Sequence, residues 1–336
     1  MMKILFSVLV PFFAITGIQP STSFAQSNNG AVAWELQDSG TTNDLNGVFF
    51  LDPDTGFAIG TAGTILHTID GGATWTPQDG GTSYDLYALY FVNTDTGWVV
   101  GARGTVLSTV DGGATWTPQN TGTGNRFSGV SFVDVNTGWL VGGAGGGTIY
   151  HTTDGGGTWT RQASGFLTDW YSAVAFTDEN HGIAVGDARP TLGTRHSTIV
   201  GTDDGGRRWS SRGGEERSSF LFGAAFGDAS TAVAVGRAPS GALIFYSTDG
   251  GATWGSGYID GPPVNSLAGV SFGDDINAWA VGNDGSIIRT RDAGATWTPQ
   301  SSGTKNHLNG VAFADANNGW AAGANGTILH TTIGGE

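Results

Sequence analysis

Apolar residues in this chain come in runs of four to six, each closed by Gly, Asp, Asn or Thr. Leu45–Phe50 is followed by the turn Asp52-Pro-Asp-Thr-Gly56, a second run ending at Gly60 and a third ending at Thr68. Asp70-Gly-Gly72 then leads into a Trp-bearing segment that ends at Gln78. Short runs rich in Val, Ile, Phe and Trp between Gly/Asp turns read as strands, because a helix needs a longer stretch with a 3.6-residue period. The unit therefore predicts four strands: A (47–50), B (56–60), C (64–68) and D (74–78).

The unit recurs along the chain. A box of eight residues, Ser or Thr followed by Asp, Gly and Trp at fixed offsets, lies at 68–75, 109–116, 152–159, 202–209, 247–254 and 290–297. Its tryptophans, Trp75, Trp116, Trp159, Trp209, Trp254 and Trp297, are 41, 43, 50, 45 and 43 residues apart. Ahead of each box stands an apolar run ending in Phe, then a turn, then a short run ending in Gly. This second marker occurs seven times, from Leu45–Phe50 with Gly60 to Leu308–Phe313 with Gly323. Four strands in about 41–50 residues, stacked in series, is the signature of a propeller blade.

The two ends complement each other. The seventh copy stops at Thr331-Thr-Ile-Gly-Gly-Glu336 and lacks strand D, whereas Trp34-Glu-Leu-Gln-Asp-Ser-Gly-Thr41 parallels Trp75-Thr-Pro-Gln-Asp-Gly-Gly-Thr82. The expected fold is all-β: a seven-bladed propeller with four antiparallel strands per blade, closed by the N-terminal strand completing the last blade. Such closure leaves no sheet edge at the seam.

Residues 1–25 read as a signal peptide, with Lys3, an apolar stretch over 4–18 and the small-x-small site Ser23-Phe-Ala25. The stretch is short for a membrane span and is interrupted by Pro11, the competing reading being a retained membrane anchor. Residues 26–336 are expected to form a single propeller, exported to the periplasm or outside the cell. There is no cysteine, hence no disulfide and no acylated anchor. The formal charge of −15, with Lys3 and Lys305 as the two lysines, disfavours nucleic acid and anionic lipid as partners.

The recurring residues read as architecture. Asp70, Asp111, Asp154, Asp204, Asp249 and Asp292 sit in the C–D turns, where a carboxylate accepts backbone N–H bonds. Copies spread around a ring cannot converge on one substrate. The A–B turns, such as Asp52-x-Asp54-x-Gly56, resemble the start of a calcium loop but lack its closing Glu. His67, His151 and His330 share one strand position on three different copies. The five glutamates are Glu35, Glu179, Glu215, Glu216 and Glu336, and they make no defined pair. No catalytic residue, metal or cofactor is expected.

Function is expected in departures from the repeat, which fall on the face carrying the B–C turns and the D-to-A crossovers. Seven of the twelve arginines map there: Arg103, Arg126, Arg189, Arg195, Arg212, Arg217 and Arg237. Residues just before strand A, namely Asp44, Asp85, Arg126, Trp170, Phe220, Ser266 and His307, should ring the channel mouth. The candidate partner-binding set is these arginines with Trp170, Phe220 and His307. The competing structural reading has Trp170 plugging the mouth and the arginines paired to Asp.

The consensus Gly-Val-x-Phe-x-Asp-x-x-x-Gly-Trp-x-Val-Gly-x-x-Gly-Thr-Ile-x-x-Thr-x-Asp-Gly-Gly-x-Thr-Trp resembles the photosystem II stability/assembly factors of cyanobacteria and chloroplasts, and more widely the Asp-box (sialidase-type) repeat proteins. The resemblance covers residues 31–336. It implies a non-enzymatic, chaperone-like scaffold that binds an assembling membrane-protein subunit partly through arginines. The expected partner is thus a protein or peptide of an envelope or membrane-protein assembly. Two alternatives stand beside it: a sialidase-like or xyloglucanase-like glycoside hydrolase, with a glycan as ligand, and a self-associating surface protein.

Overall fold

Among the described residues the strands form seven separate sheets, one for each repeat of the sequence. The computed structural model describes residues 33–143, 146–163, 170–188 and 196–335, which fall in one compact unit, Val32–Glu336. The signal-peptide segment lies outside the described residues. In blade 1, strands A to D are Leu45–Phe50, Gly56–Gly60, Ile65–Thr68 and Thr76–Pro77, paired in that order and antiparallel. Gly60 ends strand B for a steric reason, since a Cβ there would collide with the carbonyl of Asp44.

The ring closes as the ends of the sequence require. Blade 7 takes strands A to C from Leu308–Phe313, Gly319–Gly323 and Ile328–Thr331, and strand D from Glu35–Gln37, with Leu36 opposite Leu329. One sheet exceeds the repeat. Tyr258–Ile259, beyond blade 5's short strand D, pairs in parallel with blade 6's strand D, Thr296–Gln300. The Tyr258 N–H donates to Ala295 at 2.9 Å and the Asp260 N–H to Trp297 at 2.7 Å. This strap forms where Gly257 replaces the Gln that follows strand D in blade 1, Gln78.

Blades join through aromatic stacks. At five of the seven interfaces the Phe ending strand A lies face to face with an aromatic on strand B of the preceding blade. The pairs are Phe50–Trp320 at 3.4 Å, Phe91–Phe57 at 4.3 Å, Phe132–Trp98 at 3.5 Å, Phe176–Trp139 at 3.5 Å and Phe313–Trp279 at 3.7 Å. Each such pair contributes about 0.5–1.5 kcal/mol beyond its buried area. At the 4/5 and 5/6 interfaces the strand B residue is Ile183 or Val233 instead. There Phe226 and Phe272 are half-buried, while the five stacked phenylalanines are buried.

The Asp box is a turn that doubles as a latch. Asp70 accepts hydrogen bonds from the Thr74 N–H at 2.8 Å and the Thr74 hydroxyl at 2.7 Å, and the Gly72 N–H donates to Thr68 Oγ1 at 2.8 Å. These bonds hold the Asp70 and Asp111 carboxylates below their ordinary range, the Thr74 and Thr115 hydroxyls acting most strongly. Asp249 is lowered to about 2, first by the Thr253 hydroxyl. The Gly71 carbonyl accepts from Trp320 and Gln37 of blade 7, each at 2.9 Å. Gly155 likewise accepts from Trp98 and Gln119 of blade 2, and Gly334 from Trp279 and Gln300 of blade 6. The seventh copy makes the same turn with Ile333 in the Asp position, the Gly335 N–H donating to Thr331 Oγ1 at 2.9 Å.

Candidate functional site

Every strand A opens with a β-bulge. In blade 1 the register skips from Leu45 to Gly47, and the other six blades skip at the equivalent place. A bulge re-aims the extra residue. The seven extra residues, Asn46, Tyr87, Ser128, Ser172, Phe222, Ala268 and Asn309, all line one axial cavity of about 710 Å3. Arg126, Trp170, Asp187, Phe220 and Arg237 complete its wall.

The residue before each bulge has two kinds of duty. On blades 1, 2 and 7 it caps the preceding blade's B–C turn, whose middle residue is left-handed and presents its N–H. Asp44 accepts from Asn325 at 2.9 Å, Asp85 from Ala62 at 3.0 Å and His307 Nδ1 from Asp284 at 3.1 Å. On blades 3, 4 and 5 the position holds Arg126, Trp170 and Phe220, none of which offers an acceptor there. Three consecutive blades have exchanged a capping group for a large or cationic side chain.

Those side chains form aromatic–cation contacts. The Arg126 guanidinium lies 3.7 Å from the Tyr87 ring centroid and 5.6 Å from that of Trp170. Arg237 lies 5.1 Å from the Phe220 ring, directly across the strand pair. Trp170 is opposite Asp187, which is buried. Arg126 Nε and Ser128 Oγ are buried beneath this wall without a hydrogen-bond partner.

The remaining candidates fall elsewhere. Arg103 is exposed over Tyr84 at 5.1 Å, outside the cavity. Arg212 belongs to strand D of blade 4, Ser210–Gly213, and not to the crossover as its sequence position suggests. It holds the register of the latch glutamines and is ion-paired with Asp203 of its own C–D turn, which places it towards the opposite face. Arg217 is exposed and bridges to His196. Arg189 and Arg195 lie outside the described residues. Tyr87, Phe222 and Asp187 belong to the cavity and were not singled out from the sequence. The signal for the first two was their offset, one residue after the first apolar position of strand A.

Other chemistry finds little support in the geometry. Glu35, Glu179, Glu215 and Glu216 are exposed and line neither end of the axial opening. His67, His151 and His330 stack on Phe57, Trp139 and Trp320 of three separate blades. Among the described residues no cluster of three or more His, Asp or Glu is placed to hold a metal ion.

Comparison with known proteins agrees with this architecture. The family model described as photosynthesis system II assembly factor YCF48 matches residues 78–165 and 258–336. A structure of YCF48 bound to D1 peptide is 19% identical, covers 94% of this chain and 100% of its own, and has a TM-score of 0.69. YCF48 from Cyanidioschyzon merolae is 23% identical, covering 89% and 98%, with a TM-score of 0.69. The GH74 xyloglucanase from Xanthomonas campestris is 14% identical with a TM-score of 0.67, and the match covers 90% of this chain but 53% of that enzyme. No curated protein matches the chain. By its repeat, its seven blades and these matches, the chain is a photosystem II assembly factor-like propeller built of Asp-box repeats.

Proposed function

We propose that this chain is an exported, non-catalytic scaffold that holds a peptide segment of a partner protein at the axial mouth, in the service of an envelope or membrane-protein assembly. The observation that carries this reading is the run of Arg126, Trp170 and Phe220 on three adjacent blades, where blades 1, 2 and 7 keep a capping acceptor. Arginine held on aromatic faces is a common anchor at protein interfaces. Arg126 is half-buried in the cavity wall, and a peptide carbonyl or carboxylate is the natural acceptor for its guanidinium. A YCF48 structure with a bound D1 peptide supports a peptide as the ligand class.

The test is capture from the native envelope with wild-type protein, Trp170→Ala and Arg126→Ala. The partner is identified by mass spectrometry and then titrated in purified form. Loss of the same partner in both variants supports the mouth as the recognition site. Identical partners and affinities for all three proteins would remove it.

A further inference from the structure

Phe226 and Phe272 end strand A of blades 5 and 6, where five other blades end in a buried Phe stacked on an aromatic of the preceding blade. The stacking residue is a Trp at four of those five interfaces. Here it is replaced by Ile183 and Val233, and neither Phe makes a ring contact with the box tryptophans Trp254 and Trp297. Those indoles turn back on their own boxes, donating to Gly251 at 3.1 Å and to Gly294 at 2.8 Å.

Both residues, together with Phe50, Phe176 and Phe313, line a second axial cavity of about 400 Å3, formed by residues 48–50 of strand A and their equivalents. Two further aromatics, Phe49 and Tyr90, tilt against each other in its wall at 5.6 Å. The equivalent positions on the other five blades are Ser131, Ala175, Ala225, Ser271 and Ala312. Small residues at five of these seven positions leave room along the axis. No charged side chain lines the cavity, and an ion placed there would lose hydration without a counter-charge. Its volume lies in the range of small-molecule sites, and its wall offers the Tyr90, Ser131 and Ser271 hydroxyls beside the aromatic rings.

We infer that this well is a binding site for a small uncharged molecule carrying an aromatic ring, which stacks on Phe226 or Phe272 in place of the indole found at the other interfaces. It lies at the opposite end of the strands from the Arg126 cavity and does not depend on the peptide-binding reading.

Indole itself is the probe, titrated into the full chain by calorimetry and followed by ligand-observed saturation-transfer NMR. Saturable binding is expected in the wild type. Ile183→Trp with Val233→Trp, which restores the stacking seen at other interfaces, should weaken it by about tenfold or more. Ala225→Leu fills the well from strand A and provides the same test should the double-Trp protein fail to fold. Trp170→Ala should bind indole as the wild type does. Absence of saturable binding, equal binding by the filled variants, or loss of binding in Trp170→Ala would each overturn the assignment.

Discussion

The indole of Trp320 donates to the carbonyl of Gly71 at 2.9 Å although the two residues are 249 positions apart. Its ring also lies flat on Phe50 at 3.4 Å. One side chain thus ties blade 7 to blade 1 by a directed bond and a stack. Trp320→Ala should cost about 3–5 kcal/mol, as for other fully buried large-to-small changes. Gln37→Ala removes the companion bond to Gly71 and the one that Gln37 accepts from the Trp75 indole, and should cost about 1–2 kcal/mol. Denaturant melts of both variants provide the check, and equal effects would contradict the ranking.

Trp34 is 1% exposed and meets Phe313 edge to face at 5.8 Å. Removing residues 33–41 strips blade 7 of its fourth strand and leaves the strand at Ile328–Thr331 as an open edge. We expect the shortened protein to melt earlier and to aggregate, an outcome read by thermal melting with light scattering. An unchanged melt would mean that the ring does not depend on this strand.

At the mouth, capping and recognition are carried by different blades. Asp85→Ala leaves the Ala62 N–H without its acceptor and should cost about 0.5–1.5 kcal/mol. Trp170→Ala, at a half-buried rim position, should leave stability within about 0.5 kcal/mol of wild type while weakening partner capture. Equal destabilisation by both changes would return Trp170 to an architectural role.

Stability should depend on pH in two steps. Burial pushes His67, His151 and His330 below the ordinary value of 6.5, so the folded state favours neutral imidazole. That contribution is complete above 6.5 and is lost as the pH falls below it, because the unfolded chain takes up protons first. The box carboxylates are held below 3.8 by the bonds they accept, as in Asp249 at about 2. Their contribution is complete above 3.8 and drains away as the pH falls towards the folded values. Melting temperatures should show a plateau near neutrality, a shallow decline below 6.5 and a steeper one below 4. Replacing all three histidines by Phe should flatten the first decline, and a profile already flat there in the wild type would contradict the stacked-histidine account.

Much of the fold was legible because its cause is local and repeated. Gly60 and its equivalents mark the end of strand B through a clash with backbone, and Asp70 and its equivalents mark a turn closed by their own neighbours. Trp34 betrays the ring closure because the missing strand carries the same residues as its counterparts. The mouth was legible in part. Arg126, Trp170, Phe220 and Arg237 stood out as breaks in the pattern, and the structure brings them to one cavity. Tyr87 and Phe222 did not stand out, because a bulge alters which residue of a strand faces the axis without changing the apolar pattern. Arg212 was misplaced because strand D in blade 4 runs to Gly213, which turns part of an apparent loop into sheet. The strap at Tyr258–Ile259 breaks the repeat through a missing Gln, a signal visible only once the latch is understood.

The pairing of Leu36 with Leu329 sets an order on assembly. The ribosome makes the outer strand of blade 7 first and its sheet partners last. Blades 1 to 6 can each find their neighbours as they emerge, but Glu35–Gln37 must wait, unpaired, until the final repeat has been synthesised. Closure is consequently a whole-chain event, and a polypeptide threaded across a membrane before its last residues appear would complete its circle only on the far side.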